Sequence, residues 1–313
     1  MIKKIFLILI FFFIGNNFGY LAYGEAIKIE YKVNEDLITN YDIFKEAKYL
    51  KGLNKDLVNI DENQLMEFAK NSLIKEKIKK HEIEKVYNVN YESEAVDDYI
   101  EDIMKKNGFE NRSNFETYLL SLGSNISELR RKLIIEQTWN KMIYEVFKDQ
   151  IKIDENKMSK TLDDLIKEKV KQKSFEMKEI VFSANNKEDF EKKYSSIVSS
   201  IKKIGFKEAA YIHSISNTAR NGGEIGWINQ NQMSKKILDI VMKLEVGAYS
   251  EPINTSGGKV IFQITDIKEI TVKETDKKLE LSNIINAEKN RQLNEFSVLH
   301  YKKTENKSYV KKF

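Results

Sequence analysis

The fold is decided by residues 213–268, which read HSISNTARNGGEIGWINQNQMSKKILDIVMKLEVGAYSEPINTSGGKVIFQITDIK. Six of the chain's 13 glycines lie here, together with its single proline, Pro252. The pairs Gly222-Gly223 and Gly257-Gly258 indicate turns, because glycine tolerates positive φ. A short amphipathic helix is predicted at 234–244, and the alternating apolar residues after the second glycine pair predict a strand.

Several motifs in this stretch resemble the parvulin family of peptidyl-prolyl isomerases. They are HS at 213–214, NGGEIGW at 221–227, Met233, LEVGAYSEPI at 244–253 and TSGGKVIFQITD at 255–266. Upstream, the pattern predicts a strand at 174–182, a helix at about 187–204 and a short helix from Gly205. The resemblance implies a parvulin-like α/β domain at 171–268, a small antiparallel sheet flanked by helices.

Length and composition narrow the possible functions. A chain of 313 residues can form two modest domains. Lys and Arg (52) nearly balance Asp and Glu (48), so the net charge of +4 argues against a nucleic-acid partner. The absence of cysteine excludes thiol catalysis and disulfides. His81, His213 and His300 lack a metal-ligand spacing, and no glycine-rich phosphate loop occurs, so neither a metal nor a cofactor is expected.

The first residues have the pattern of a secretory signal peptide, predicted at 1–24. Lys3-Lys4 supplies the positive charge, an unbroken apolar run follows at 5–14, and AYG at 22–24 places small residues before Glu25. An uncleaved membrane anchor is the alternative, but the apolar run is about 14 residues at most and a span needs about 20. Cleavage before Glu25 and a periplasmic location are therefore predicted.

The region between the signal and the parvulin-like domain is predicted to be mostly helical. A strand at 26–33 and a turn at 34–36 precede it, and Thr39 or Asn40 is predicted to cap the first helix. Ser113 and Glu116 have the spacing of a capping box. The predicted helices cover 39–50, 61–88, 93–106, 113–122, 124–147 and 154–171, with a further helix at 273–304 and a strand within 307–313.

The flanks are similar to those of the SurA family of periplasmic chaperones. The similarity is carried by IEYKVNEDLITNYDI at 29–43 and by RQLNEFSVLHYKKTENKSYVKKF at 291–313. It implies an α+β fold in which a helical chaperone domain at 25–170 is completed by the C-terminal helix and strand of 269–313. The best-known members have two parvulin units, whereas this chain has one.

The polar positions of the parvulin active site are altered. Where the resemblance places two histidines and an acid or cysteine, this chain has Glu179, Val260 and Ser216. A one-residue slip in the Gly-Gly turn would put Lys259 in place of Val260. Gly257 stands where an aromatic residue is expected. A buried glutamate does not replace a neutral imidazole without a desolvation cost, so no catalytic residue is assigned.

The apolar positions are better kept. Ile225, Met233 and Ile237 fall where the resemblance implies a proline-binding groove, and they are the predicted substrate-binding residues. His213 is expected to make a structural hydrogen bond.

Two main functions remain open. The first is an ATP-independent periplasmic chaperone that binds unfolded polypeptides, outer-membrane protein precursors in particular, in a groove between the helical block and the parvulin-like domain. It would bind no nucleic acid and have no stable membrane span after signal cleavage. The second is an active parvulin-class peptidyl-prolyl cis-trans isomerase. A membrane-anchored folding factor that retains its N-terminal segment is a third reading.

Overall fold

The fold is α+β, as the sequence predicts, with two separate antiparallel sheets. A computed structural model describes residues 26–167, 172–255, 257–270 and 277–313. The predicted signal peptide at 1–24 lies outside these ranges, as do residues 168–171 and 271–276, where one predicted helix ends and another begins. Within the described ranges, no helix is both long and apolar enough to cross a bilayer.

The first sheet joins the two ends of the chain. It has the order β2-β1-β7, formed by β1 (Ile29–Val33), β2 (Asp36–Thr39) and β7 (Val310–Lys312). The sequence prediction missed β2 and gave only a turn at 34–36. The strand forms because Asn34 takes a positive φ of 51° and closes a two-residue turn, which pairs Val33 with Asp36.

Six α-helices follow, and side-chain caps mark where several of them begin. The Thr39 capping box with Asp42 starts the first helix, which ends at Leu53, three residues beyond the predicted end. The predicted box at Ser113 is wrong, because Asn111 Oδ1 accepts the Ser113 and Asn114 N–H groups and caps that helix. The predicted helix at 93–106 opens with a 3₁₀ turn, Glu94–Val96. The helices are α1 (Asn40–Leu53), α2 (Glu62–Glu84), α3 (Asp97–Lys106), α4 (Arg112–Ser121), α5 (Ile126–Phe147) and α6 (Glu155–Lys167).

The last helix, α10 (Lys277–Glu305), packs into the core that these helices form. The Trp139 side chain of α5 is fully buried, and its Nε1–H donates to Ser297 Oγ at 2.9 Å. The Phe147 and Phe296 rings stack at 4.7 Å, and Tyr301 packs edge-on to Trp139. We call α1–α6, α10 and the first sheet the helical block.

The second sheet has the order β4-β3-β6-β5 and lies between the two parts of the helical block in sequence. Gln172 pairs with Ile270, so the first and last residues of this segment lie side by side. Ser234 caps α9, which is shorter than the predicted 234–244 because two tight turns follow Val241. The elements are β3 (Gln172–Phe182), α7 (Lys187–Ile204), α8 (Phe206–His213), β4 (Glu224–Asn229), α9 (Lys235–Val241), β5 (Ile253–Thr255) and β6 (Gly258–Ile270).

Candidate functional site

The two central strands of the second sheet give it two distinct apolar faces. Successive side chains of a strand point to opposite faces. One face packs on α7 and α8, and includes Ile180, Phe182 and Ile261. The other, which we call the groove face, packs near α9 and carries these buried side chains: Phe175, Met177, Val181, Val260, Phe262 and Ile264.

This alternation places Val260 on the groove face. Val260 pairs with Val181 and is almost fully buried. Lys259 lies on the opposite face, where its Nζ is 4.5 Å from the centre of the Phe190 ring. The side chain that faces the predicted proline site is therefore that of Val260, which is aliphatic and has no hydrogen-bonding group.

The other two altered polar positions, Glu179 and Ser216, do meet. Ser216 Oγ donates to Glu179 Oε1 at 2.8 Å, and Thr218 Oγ1 donates to the same oxygen at 2.9 Å. Burial raises the pKa of the Glu179 carboxyl above its usual value. Sequence reasoning missed Thr218, although its position two residues after Ser216 in the 3₁₀ turn Asn217–Asn221 could have suggested it.

Gly223 holds this cluster close to β3. Its φ is +79°, and a Cβ added to it would lie 2.2 Å from the carbonyl oxygen of Glu179. The Glu179 N–H donates to the Gly223 carbonyl at 2.8 Å. A larger residue at 223 cannot make this approach without moving the backbone.

The three predicted substrate-binding residues lie together. Ile225 comes from β4, Met233 precedes α9 and Ile237 lies within it, and all three are partly buried against the groove face. The structure therefore brings the apolar positions of the predicted site into one cluster with Val260.

Helix α10 covers part of this cluster. Val298 is buried in it, although it belongs to the helical block. A Cβ added to Gly257 would lie 3.6 Å from Val298 Cγ1 and 3.9 Å from Glu295 Cα. An aromatic side chain at 257 would need the space that α10 fills.

Polar contacts also join the helical block to the segment that carries the second sheet, along the boundary where α10 packs. Ser297 Oγ, which already accepts from Trp139, lies 3.3 Å from Asn217 Nδ2 of the 3₁₀ turn. Lys75 Nζ of α2 donates to the Ile215 carbonyl at 3.2 Å, and burial lowers the pKa of Lys75 to about 7. These contacts occupy part of the boundary along which the client groove is expected.

Further along the boundary, α8 docks on the helical block. Lys207 Nζ lies 2.8 Å from Asp56 Oδ2, and the Tyr211 hydroxyl donates to the same oxygen at 3.3 Å. Nearby, His213 Nε2 lies 2.8 Å from Ser200 Oγ, and burial lowers the pKa of His213 to about 4. His213 therefore makes the structural hydrogen bond that the sequence suggests.

The described part of the chain contains no group of three or more His, Asp or Glu side chains placed to hold a metal ion. The chemistry of the groove face is that of a carboxyl group bound by two hydroxyls beside an aliphatic cluster. Both hydroxyls donate to the Glu179 carboxyl group.

Comparison with known proteins identifies the family of the domain that contains the second sheet. The family model of the PPIC-type PPIASE domain, Rotamase, matches residues 174–266. The chain therefore contains a PpiC-type peptidyl-prolyl isomerase domain, which confirms the predicted resemblance.

Three curated relatives extend this result. Foldase protein PrsA 4 of Bacillus cereus is 28% identical over 225 residues, which is 70% of this chain and 71% of that protein. Periplasmic chaperone PpiD of Haemophilus influenzae is 35% identical over 68 residues, 21% of this chain and 11% of that protein. Chaperone SurA of Hahella chejuensis is 38% identical over 55 residues, 18% of this chain and 13% of that protein. The chain thus aligns with only a small part of PpiD and SurA, but with most of PrsA 4.

Proposed function

We propose that this protein is an ATP-independent folding chaperone that binds unfolded polypeptides, and that its PpiC-type domain serves as structural framework. The observation that carries the proposal is the position of α10. Its Val298 lies in the cluster where the family resemblance places a prolyl side chain. Three relatives named as foldase or chaperone support the same reading.

The chemistry of the groove face argues against efficient isomerisation. Rotation about the peptide bond has a barrier of about 18–20 kcal/mol. An enzyme lowers it by directing polar groups at the twisted amide in a site that excludes water. Here the Ser216 and Thr218 hydroxyls are both bound to Glu179, and Val260 has no polar atom.

Location and clients belong to the same proposal. We take the protein to be periplasmic after removal of residues 1–24, with outer-membrane protein precursors as clients and no stable membrane span. The name of the PpiD relative supports the compartment. We further propose that 25–170 and 269–313 form the chaperone domain and that 171–268 form the PpiC-type domain.

The test is a pair of assays on residues 25–313. Dilution of a urea-unfolded outer-membrane β-barrel protein should give less light scattering when the chain is present, with or without ATP. A protease-coupled proline-peptide assay should show no turnover above the uncatalysed rate. If scattering is unchanged at a several-fold excess of the chain, the chaperone proposal is wrong.

The second candidate is an active parvulin-class isomerase, and the surviving apolar cluster favours it. In that case proline-peptide turnover should rise clearly and should fall in Met233→Ala or Ile237→Ala. A membrane-anchored form would be recognised by a mature protein that begins at Met1 and stays with the membrane fraction. A soluble periplasmic protein beginning at Glu25 would exclude it.

A further inference from the structure

Strand β2 is one edge of the first sheet, and its geometry leaves backbone groups directed outward. The Asn34 N–H, directly after β1, donates to Tyr309 O at 2.8 Å, and Glu30 O of β1 accepts from the Phe313 N–H at 3.0 Å. Alternate residues along β1 therefore hydrogen-bond to β7. The intervening residues of β1, which include Val33, hydrogen-bond to β2. In an antiparallel pair this alternation turns the N–H and C=O of Leu37 away from β1, toward the free edge.

A cavity of about 200 Å³ opens beside this edge. Engineered apolar cavities of about 150 Å³ hold a benzene molecule, so this one has room for a single side chain of that size. Its lining comes from β2, from α1 and α2, from the loop before α5 and from the first turns of α5. The lining residues that the argument uses are Leu37, Glu46, Glu76, Ser124 and Lys132. We call this cavity and the free edge of β2 the β2 cleft.

The charges in the β2 cleft already balance one another. Lys132 Nζ lies 2.8 Å from Glu46 and 2.5 Å from Glu76. The Ser72 hydroxyl donates to Glu46 at 2.9 Å. Across the whole lining, four acidic side chains face four basic ones. An ionic ligand would gain little from such a site, because each buried charge has a partner.

One polar group in the cleft has no partner. The Ser124 hydroxyl is buried, with 6% of the residue exposed, and no hydrogen-bond partner for it exists among the described residues. A buried hydroxyl without a partner costs free energy that a neutral ligand could recover. A neutral group that hydrogen-bonds is therefore the complement of this position.

Apolar and aromatic side chains flank the opening. Leu37 is 49% exposed and lines the cavity. Lys45, also in the lining, lies over the exposed ring of Tyr41 on α1. Phe44 is exposed one turn further along that helix. The surface beside the cleft thus offers contacts to apolar side chains of a bound chain.

We propose that the β2 cleft binds an extended segment of an unfolded polypeptide. The segment pairs with the outward N–H and C=O of Leu37 as an added strand, and places one uncharged, polar-tipped side chain in the cavity against the Ser124 hydroxyl. Strand addition satisfies an open sheet edge through main-chain bonds and so suits clients of varied sequence. This inference rests on the chaperone function proposed above and locates its client site in the helical block.

Photo-crosslinking tests the position. A benzophenone amino acid replaces Leu37 in one variant and Leu279, which is 66% exposed on α10, in another. The probe is a carboxymethylated, permanently unfolded polypeptide. Crosslinking at position 37 should exceed that at position 279 at least fivefold. Equal crosslinking at both positions would overturn the proposal.

Two substitutions test the mechanism. Ser124→Ala removes a hydroxyl that has no partner in the free protein, so it should leave stability unchanged and weaken probe binding about fivefold. Leu37→Pro removes the outward N–H and should weaken binding by a similar factor, since proline is tolerated at a strand edge. Val310→Pro, at the opposite edge of the same sheet, is the matched control and should change binding less than twofold. Circular dichroism checks that each variant folds, and Ser124→Ala decides the question if Leu37→Pro does not.

The outcomes separate the site from the function. If the unchanged protein suppresses aggregation but neither variant weakens probe binding, the β2 cleft is not the client site and the chaperone function stands. If the unchanged protein neither binds the probe nor suppresses aggregation, the proposed function itself is wrong.

Discussion

Replacing Val298 by alanine measures how much the packing of α10 on the groove face contributes to the free energy of unfolding. Val298 is only 5% exposed and lies among side chains of the second sheet. The substitution removes two methyl groups, worth about 0.8 kcal/mol each by transfer, and leaves a cavity that adds to this loss. We expect the free energy of unfolding to fall by about 2–3 kcal/mol.

The assay is urea unfolding followed by tryptophan fluorescence. The chain has two tryptophans, Trp139 in the core of the helical block and Trp227 on β4. Single-tryptophan variants report on each part, and Val298→Ala should shift the midpoint of both because the residue joins them. Leu299, adjacent on α10 and 38% exposed, is the control, and Leu299→Ala should cost less than about 0.5 kcal/mol. A loss for Val298→Ala no larger than that of the control would refute the packing described for α10.

Further predictions concern the same boundary. Gly257→Ala should be nearly neutral in thermal unfolding, because its Cβ would meet Val298 at an ordinary contact distance, whereas Gly257→Phe should cost about 1–3 kcal/mol by overpacking. His213 binds a proton more weakly when folded, with its pKa lowered to about 4, so the unfolded chain takes up more protons between pH 4 and 6.5. Stability should therefore fall as pH drops through this window, by at most about 3 kcal/mol, and His213→Gln should remove that part of the slope in urea titrations. The pKa of Lys75 is likewise lowered, to about 7, so stability should rise from pH 7 toward 10.5 and Lys75→Met should abolish the rise. Because Gln172 and Ile270 are paired neighbours, a chain lacking 171–268 with its ends joined should keep a helical circular dichroism spectrum; a random-coil spectrum would contradict the helical block.

The elements that the sequence predicts well are those set by local signals. Helix α2 begins at Glu62, one residue after its predicted start, because Asp61 caps it, and an N-cap depends on residues within one turn. The sequence did not predict strand β2, because only two apolar residues, Leu37 and Ile38, lie between the turn that precedes it and the Thr39 helix cap. The Ser113 box failed because Asn111, two residues earlier, competes for the same N–H groups.

The candidate site divides in the same way. The motif places Glu179, Ser216 and Val260 on the groove face, and the strand alternation of the structure agrees for Val260 over Lys259. The contact between Gly257 and Val298 joins two segments that no spacing rule relates. Periodicity shows that α10 has an apolar side, but it does not show which surface that side meets.

The glycine at 257 and the docking of α10 are therefore best understood as one feature. The approach of Glu295 Cα to within 3.9 Å of the Cβ position at 257 leaves no room for an aromatic ring there. A hydrogen bond from Trp139 of α5 to Ser297 ties the same helix to the core of the helical block. Helix α10 thus occupies part of the face that would receive a prolyl ligand, while Ile225, Met233 and Ile237 stay partly exposed there. Under the proposed chaperone function, the β2 cleft offers clients a separate surface, because its lining comes from β2, α1, α2, α5 and the loop before α5, with no residue of α10.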